Sequence, residues 1–193
     1  MSSKALADPQ GAIAGGAGSY RLRTLLSDLR SEIKTSGGGN LLGILVTVLF
    51  SSRFHLIALY RIARYASLNR LNPLCVPLKW LQFVLTASEI SPHALVGLRV
   101  RFPHPTGIVI GEGVVIEDEA WVFQQVTLGS HGRSAERKEY PVVGRGARLY
   151  AGVRVIGGVR VGEMATVGAN AVVLDSIPDG ATAVGVPARV LKK

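Results

Sequence analysis

The chain has a single cysteine, Cys75, among its 193 residues. One cysteine excludes an internal disulfide and any metal site built from several thiolates. The four histidines do not cluster with carboxylates at ligand spacing, so we expect no metal site. Long apolar runs are lacking too. The run Leu41–Phe50 has ten residues, whereas a membrane-spanning helix needs about 20, and the N-terminus lacks the compact apolar core of a secretory signal peptide.

Acidic residues are scarce in the first part of the sequence. Residues 1–88 hold ten Lys/Arg against three Asp/Glu, which accounts for +7 of the net charge of +9. We do not predict nucleic-acid binding, because no reader motif and no stacking aromatic platform accompany these charges. A basic and apolar segment suits an anionic membrane surface better. We therefore expect a cytoplasmic protein, with peripheral contact at the inner membrane face as one interpretation of this segment.

Composition divides the chain into three pieces. Residues 1–40 are rich in Gly, Ser and Ala and are interpreted as a flexible tail with a short helix around 20–34. Residues 41–88 carry an apolar stripe at helical spacing, interrupted by prolines, and predict an α-helical cap. The plain interpretation of this cap is packing on the next domain, and the membrane contact is the alternative. Residues 89–193 form the third piece.

A six-residue repeat dominates the third piece. Thirteen in-phase positions are all apolar: Ile90, Val96, Phe102, Ile108, Val114, Ala120, Val126, Val143, Leu149, Val155, Val161, Val167 and Val173. Such a period fits neither a helix nor a flat strand, but it fits short strands joined by tight turns that glycine permits. Three repeats close one triangular coil. The repeat therefore predicts a parallel β-helix in which residues 18 apart stack, so Arg148, Arg154 and Arg160 lie on three different faces.

The repeat is interrupted by a polar excursion loop over residues 129–142. Loops that leave a regular solenoid often serve binding, so His131 in this loop is a candidate ligand contact. His104 follows the inward Phe102. From the residues alone it is either a catalytic base or an ordinary turn histidine.

From Glu89 to the C-terminus the chain resembles the hexapeptide-repeat acyltransferases. The matching stretches are Ile90-Ser91-Pro92-His93-Ala94, His104-Pro105-Thr106-Gly107-Ile108-Val109-Ile110-Gly111-Glu112, Val126-Thr127-Leu128-Gly129 and Gly185-Val186-Pro187-Ala188-Arg189-Val190. The resemblance is to the serine acetyltransferase branch and, most closely, to its exopolysaccharide and capsule O-acetyltransferase relatives. It implies a left-handed β-helix, acetyl-CoA as co-substrate and a homotrimer.

The resemblance also implies roles for particular residues. His104 matches the general base, and Glu89 matches the acidic residue that orients it, where serine acetyltransferases have aspartate. A backbone N–H near Gly129 and Ser130 is expected to meet the oxyanion. The small residues Ala151 and Ala169 match contacts of the pantetheine arm, and Arg189 is expected near the nucleotide phosphates.

Two departures from serine acetyltransferases bear on the acceptor. Pro103 stands where they have an aspartate, and Tyr140 where they have a second histidine. Losing two charge-assisted contacts, each about 1.5–3 kcal/mol, would weaken serine binding. We therefore expect a sugar or a lipid-linked oligosaccharide as acceptor, with Tyr140 stacking on the sugar ring. The alternatives are serine O-acetyltransfer and a non-catalytic β-helix scaffold.

Overall fold

The protein is described by a computed structural model, which covers residues 21–35, 40–132 and 139–192. Four α-helices come first, with a single 3₁₀ turn: α1 (Leu22–Thr35), α2 (Leu41–Phe50), α3 (Ser52–Leu68), the turn Asn72–Leu74, and α4 (Cys75–Thr86). Fourteen short strands follow: β1 (Glu89–Ile90), β2 (Leu95–Val96), β3 (Val109–Ile110), β4 (Val115–Ile116), β5 (Trp121–Val122), β6 (Thr127–Gly129), β7 (Val142–Val143), β8 (Arg148–Leu149), β9 (Arg154–Ile156), β10 (Arg160–Val161), β11 (Thr166–Val167), β12 (Val172–Val173), β13 (Thr182–Val184) and β14 (Arg189–Val190).

The strands build a three-sided β-helix. The first sheet has the order β1-β3-β6-β9-β12, the second β2-β4-β7-β10, and the third β5-β8-β11-β13-β14. All pairings are parallel except β13 with β14, which is antiparallel. Consecutive strands lie in different sheets from β1 to β13, so Arg148, Arg154 and Arg160 lie on three faces, as the sequence predicts.

All thirteen repeat positions are buried, but their predicted stacking is corrected in the first coils. Ile90 pairs with Ile110, 20 positions on, and not with Ile108. In a regular coil, stacked residues are 18 positions apart, as where Arg148 pairs with Thr166. The first coil is two residues longer, because the turn that contains Pro103 and His104 has two extra residues. Four repeat positions, Ile108, Val114, Ala120 and Val126, are therefore buried but lie two residues before the strand residues that stack between coils. We call their position the second inward site.

Polar side chains of the helical segment form hydrogen bonds with backbone groups at the open end of the β-helix. Tyr60 Oη donates to Ala94 O at 2.7 Å and accepts from Val96 N at 3.2 Å. Gln82 Oε1 accepts from Ile90 N at 2.9 Å, while Gln82 Nε2 donates to Leu56 O. Unpaired strand edges invite pairing with other chains, and these contacts cover that edge.

Arg61 joins three elements. Its guanidinium donates to Val96 O and Gly97 O at 2.7 and 2.6 Å, and it lies 3.6–3.7 Å from the carboxylates of Asp28 and Glu32 on α1. All three charged side chains are buried. Burial raises the pKa of the Glu32 carboxyl above its usual range; the nearby Arg61 charge lowers it again in part, and Asp28 adds to the rise.

The N-terminal piece of the sequence, residues 1–40, contains the first helix. Residues 22–35 form α1, which includes the short helix predicted around 20–34 and is anchored on α3 through Arg61. Residues 1–20 and 36–39 lie outside the described part of the chain.

Candidate active site

Sequence-predicted site residues gather at two corners of the β-helix. We call the turns from the third sheet to the first sheet the His104 corner (residues 102–108, 123–126, 150–153 and 168–171). The turns from the first sheet to the second are the loop corner (residues 91–94, 111–114, 130–132, 139–141 and 157–159). The His104 corner lies at the N-terminal ends of the strands of the first sheet, and the loop corner lies at their C-terminal ends.

His104 lies in the extended turn of the first coil and is exposed to solvent. Its backbone oxygen accepts from Thr106 N at 2.9 Å, which tightens the turn. The buried Ser88 holds this turn from below: its hydroxyl contacts Pro105 O at 3.2 Å and accepts from Ile108 N at 3.0 Å. Sequence reasoning missed Ser88, because its distance from His104 along the chain hides that it contacts the same turn.

Glu89 begins β1, directly after Ser88, and its side chain is half exposed. Its carboxylate oxygen Oε1 lies 2.7 Å from Lys79 Nζ on α4. Within the part of the chain that the structure describes, Glu89 makes no hydrogen bond to His104. The predicted role of Glu89 in orienting His104 stays a prediction, and the observed partner of its carboxylate is Lys79.

Ala151 and Ala169 occupy equivalent turns of successive coils at the His104 corner. Ala151 O accepts from Asn170 N at 2.8 Å, so the backbones of the two turns are in direct contact. Small side chains at both positions leave this strip of main chain open to an extended ligand, which fits the pantetheine arm of acetyl-CoA. Arg189 lies on β14 near the C-terminal end, exposed and 3.3 Å from Asp175 Oδ2.

An aromatic column continues the His104 corner. The rings of Phe123 and Tyr150 stack with centroids 5.0 Å apart at 22°, and the ring of Phe123 lies 6.5 Å from the ring of His104. Trp121 also stacks with Phe123, with centroids 6.3 Å apart, and the guanidinium of Arg101 lies over the Trp121 ring at 4.8 Å. Phe123 and Tyr150 are 27 positions apart, so no short sequence pattern predicts that their rings stack.

The loop corner holds the other predicted residues. Gly129 ends β6, and a Cβ built on it would meet nothing within 4 Å, so its backbone faces open space. Ser130 follows and is half buried. His131 packs directly over Gly157, where a Cβ would clash with the imidazole ring.

Tyr140 packs over the loop corner of the preceding coil. Its ring covers Gly111 and Gly113, leaving no room there for a Cβ, and its hydroxyl donates to Glu112 Oε1 at 3.0 Å. The ring is half buried on the β-helix itself. Residues 133–138, the remainder of the excursion loop with its Arg133, lie outside the described residues.

A cavity lies beside the turn that contains His104, between the helical segment and the first coil. Pro103 lines it together with Phe102, Arg101, Trp121, and Glu32 and Arg53 of the helices. Among residues 21–35, 40–132 and 139–192, no three His, Cys, Asp or Glu side chains form a group that could hold a metal ion.

Within one chain, the predicted base and the predicted oxyanion donor thus lie at opposite ends of neighbouring strands of the first sheet. His104, Ala151 and Ala169 share one corner, and Gly129, Ser130 and Tyr140 share the other. If the two sets share one site, the homotrimer that the sequence resemblance implies would have to bring them together across subunits.

Comparison with known proteins gives the family. No family model matches the chain. The serine acetyltransferase of Haemophilus influenzae is 38% identical over 146 residues, which make up 76% of this chain and 54% of the relative. The chain thus spans less than two thirds of the length of the curated relatives that it matches first.

Solved structures agree. A truncated serine acetyltransferase apoenzyme has a TM-score of 0.79 at 33% identity, covering 88% of this chain and 71% of that one. A serine acetyltransferase in complex with CoA has a TM-score of 0.77 at the same identity and coverage. This likeness confirms the predicted left-handed β-helix behind an N-terminal helical segment.

These relatives also correct the expected branch. The sequence analysis placed the chain closest to exopolysaccharide and capsule O-acetyltransferases, whereas the similar proteins are serine acetyltransferases. With 33% identity across 71% of a solved serine acetyltransferase, the chain belongs to the hexapeptide-repeat acyltransferases, within the serine acetyltransferase family.

Proposed function

We propose that this protein is an acetyl-CoA-dependent O-acetyltransferase with His104 as its general base. The acceptor hydroxyl gives its proton to an imidazole nitrogen of His104 while its oxygen attacks the thioester carbonyl. The tetrahedral intermediate then collapses, the carbon–sulfur bond breaks, and the thiolate takes up a proton as CoA leaves. A backbone N–H near Gly129 and Ser130 would stabilise the oxyanion.

The observation that carries this proposal is the composition of the His104 corner. An exposed histidine stands at one end of a strip whose turns expose main chain at Ala151 and Ala169. An extended thioester substrate fits along such a strip with its reactive end near the imidazole. The solved relative in complex with CoA supports the same class of substrate.

Serine is the acceptor that we place first. The curated relatives and solved structures named above are serine acetyltransferases, and nothing among them favours a sugar. The expected sugar or lipid-linked oligosaccharide acceptor is therefore moved to second place. Pro103 and Tyr140 are then tolerated changes, with other groups at the site holding the amino acid.

A sugar hydroxyl remains a second candidate because of the aromatic column. Tyr150 is partly exposed where its ring stacks on Phe123, whose ring lies 6.5 Å from that of His104, and an exposed aromatic ring near the proposed base suits a sugar ring better than a small zwitterion. Tyr140 supports a sugar less than expected, since its ring already packs over Gly111 and Gly113.

The test is free-thiol release from acetyl-CoA with L-serine and, separately, with a panel of sugars and oligosaccharides. Turnover with serine supports the first acceptor. Turnover with a sugar and none with serine supports the second. Neither turnover nor acetyl-CoA binding would reject catalysis and leave the non-catalytic scaffold.

A further inference from the structure

Helix α2 exposes apolar side chains on every side. Apart from Gly43 and Thr47, all its residues are large, apolar and exposed, with Leu41 at 83%, Leu42 at 69% and Phe50 at 77%. Within α2 only Thr47 is buried. A helix that is apolar all round is ordinarily enclosed by protein or by lipid.

This helix is held at its ends and not by burial. Asn40 caps its start by accepting from Gly43 N at 2.7 Å, and Ser51 ends it while capping α3. His55 Nε2 lies 2.8 Å from Val48 O. Ten residues make only a marginal helix in water without packing, so α2 needs an apolar environment that the rest of the described chain does not supply.

The helix is too short to cross a bilayer. Ten residues extend about 15 Å, against a hydrocarbon core of about 30 Å. Among the described residues, no single helix is long and apolar enough to span, and the α2–α3 pair that passes such a test together is bent by 77°. Because α3 is packed on the β-helix through Tyr60 and Arg61, α2 can enter only the interfacial layer of a membrane.

The exposed charge of the helical segment has one sign. Across residues 21–35 and 40–88, the acidic side chains are Asp28 and Glu32, and both are buried against Arg61. Six basic residues of the same segment are exposed: Arg21, Arg23, Arg30, Lys34, Arg53 and Arg70. The helical segment thus offers solvent a bare apolar helix and positive charge without exposed negative charge.

The exposed apolar helix and the positive charge of the helical segment together favour a lipid surface over a second copy of the segment as the partner of α2. A second copy of the helical segment would bring like charges together, which disfavours association. An anionic lipid surface accepts both the apolar side chains and the cations. We propose that α2 inserts into the interfacial layer of an anionic membrane, with the exposed basic residues on the lipid headgroups. This proposal does not depend on acyl transfer.

Flotation of the full chain with lipid vesicles tests it. We expect the protein to float with vesicles of phosphatidylcholine plus phosphatidylserine, and much less with phosphatidylcholine alone. The double variant Leu45→Glu/Leu49→Glu should lower the partition coefficient at least about tenfold, because both side chains are exposed and lose their apolar contact with lipid. Arg23→Glu/Arg30→Glu should lower it at least about fivefold for each residue changed.

Matched changes on the β-helix serve as controls. Leu174→Glu/Leu191→Glu alters two equally exposed leucines, and Arg145→Glu one exposed arginine, and none should affect flotation. Circular dichroism melts check that each variant is folded. A wild-type protein that ignores anionic vesicles, or a Leu45→Glu/Leu49→Glu variant that floats unchanged, overturns the proposal. A smaller assembly size in that variant, without any vesicle binding by the wild type, would assign the surface to subunit contact instead.

Discussion

His104 and Gly129 lie at opposite ends of two neighbouring strands of the first sheet. His104 is in the turn before β3, and Gly129 is the last residue of β6. A catalytic base and an oxyanion donor must both reach one reacting carbonyl. If these residues act together, they do so across two subunits.

Mixed assemblies test this division of labour. His104→Ala removes the base, and Gly129→Phe adds a ring beside the proposed oxyanion donor, at a position where a Cβ meets nothing within 4 Å. Each variant alone should be inactive. After co-refolding equal amounts, about one quarter of the inter-subunit sites of a trimer carry both intact residues. Thiol-release activity should recover to about that fraction, whereas activity that stays at background would place the site within one chain.

Tyr150 should decide the acceptor class. Removing its ring with Tyr150→Ala leaves Phe123 unstacked on one side. If a sugar uses the aromatic column, kcat/KM for that sugar should fall about tenfold while the KM for acetyl-CoA stays unchanged. Tyr150→Phe keeps the ring and serves as the control. Equal kcat/KM values for wild type and Tyr150→Ala with every active acceptor would show that the column does not contact the acceptor.

Arg61 should be the most sensitive position of the helical segment for stability. Arg61→Met removes two hydrogen bonds to the first coil and leaves Asp28 and Glu32 buried without their cation. We expect a loss of about 3–5 kcal/mol in the free energy of unfolding, measured by denaturant titration. The exposed pair of Arg99 with Glu119 gives the control, since Arg99→Met should cost about 0–1 kcal/mol. Similar losses for the two variants would contradict the role of Arg61.

Glu32 should make the stability fall as the pH rises above the ordinary carboxyl range. The folded state holds the proton of Glu32 more tightly than the unfolded chain, because burial raises its pKa. Between the unfolded and folded pKa values the native state binds more protons, so the free energy of unfolding decreases with rising pH. In Glu32→Gln this component should be absent, as seen in denaturant titrations from pH 4.5 upward. Parallel pH profiles for the two proteins would refute the shift.

The repeat in the sequence was sufficient to predict the β-helix, since each of its thirteen positions is buried. It did not reveal that Ile90 stacks on Ile110, because two extra residues in the turn around His104 leave the six-residue apolar pattern intact while moving it to the second inward site.

Contacts made across coils were beyond its reach. Phe123 and Tyr150 meet only because the excursion loop lengthens one coil to 27 residues, so their spacing matches no repeat. Lys79 reaches Glu89 from another element, and a side-chain ion pair of that kind leaves no periodic signal. The sugar acceptor rested on two substitutions, at Pro103 and Tyr140, and the similar proteins, which are serine acetyltransferases, favour serine instead.

The central claim is that His104 is the general base, and its most direct test compares the turnover of His104→Ala with that of His93→Ala. Both histidines are exposed in turns of the first coil, but His93 lies at the loop corner. With saturating acetyl-CoA and the active acceptor, we expect kcat to fall about 10²–10⁴-fold in His104→Ala and to remain unchanged in His93→Ala. A folded His104→Ala protein that retains wild-type kcat would contradict the account.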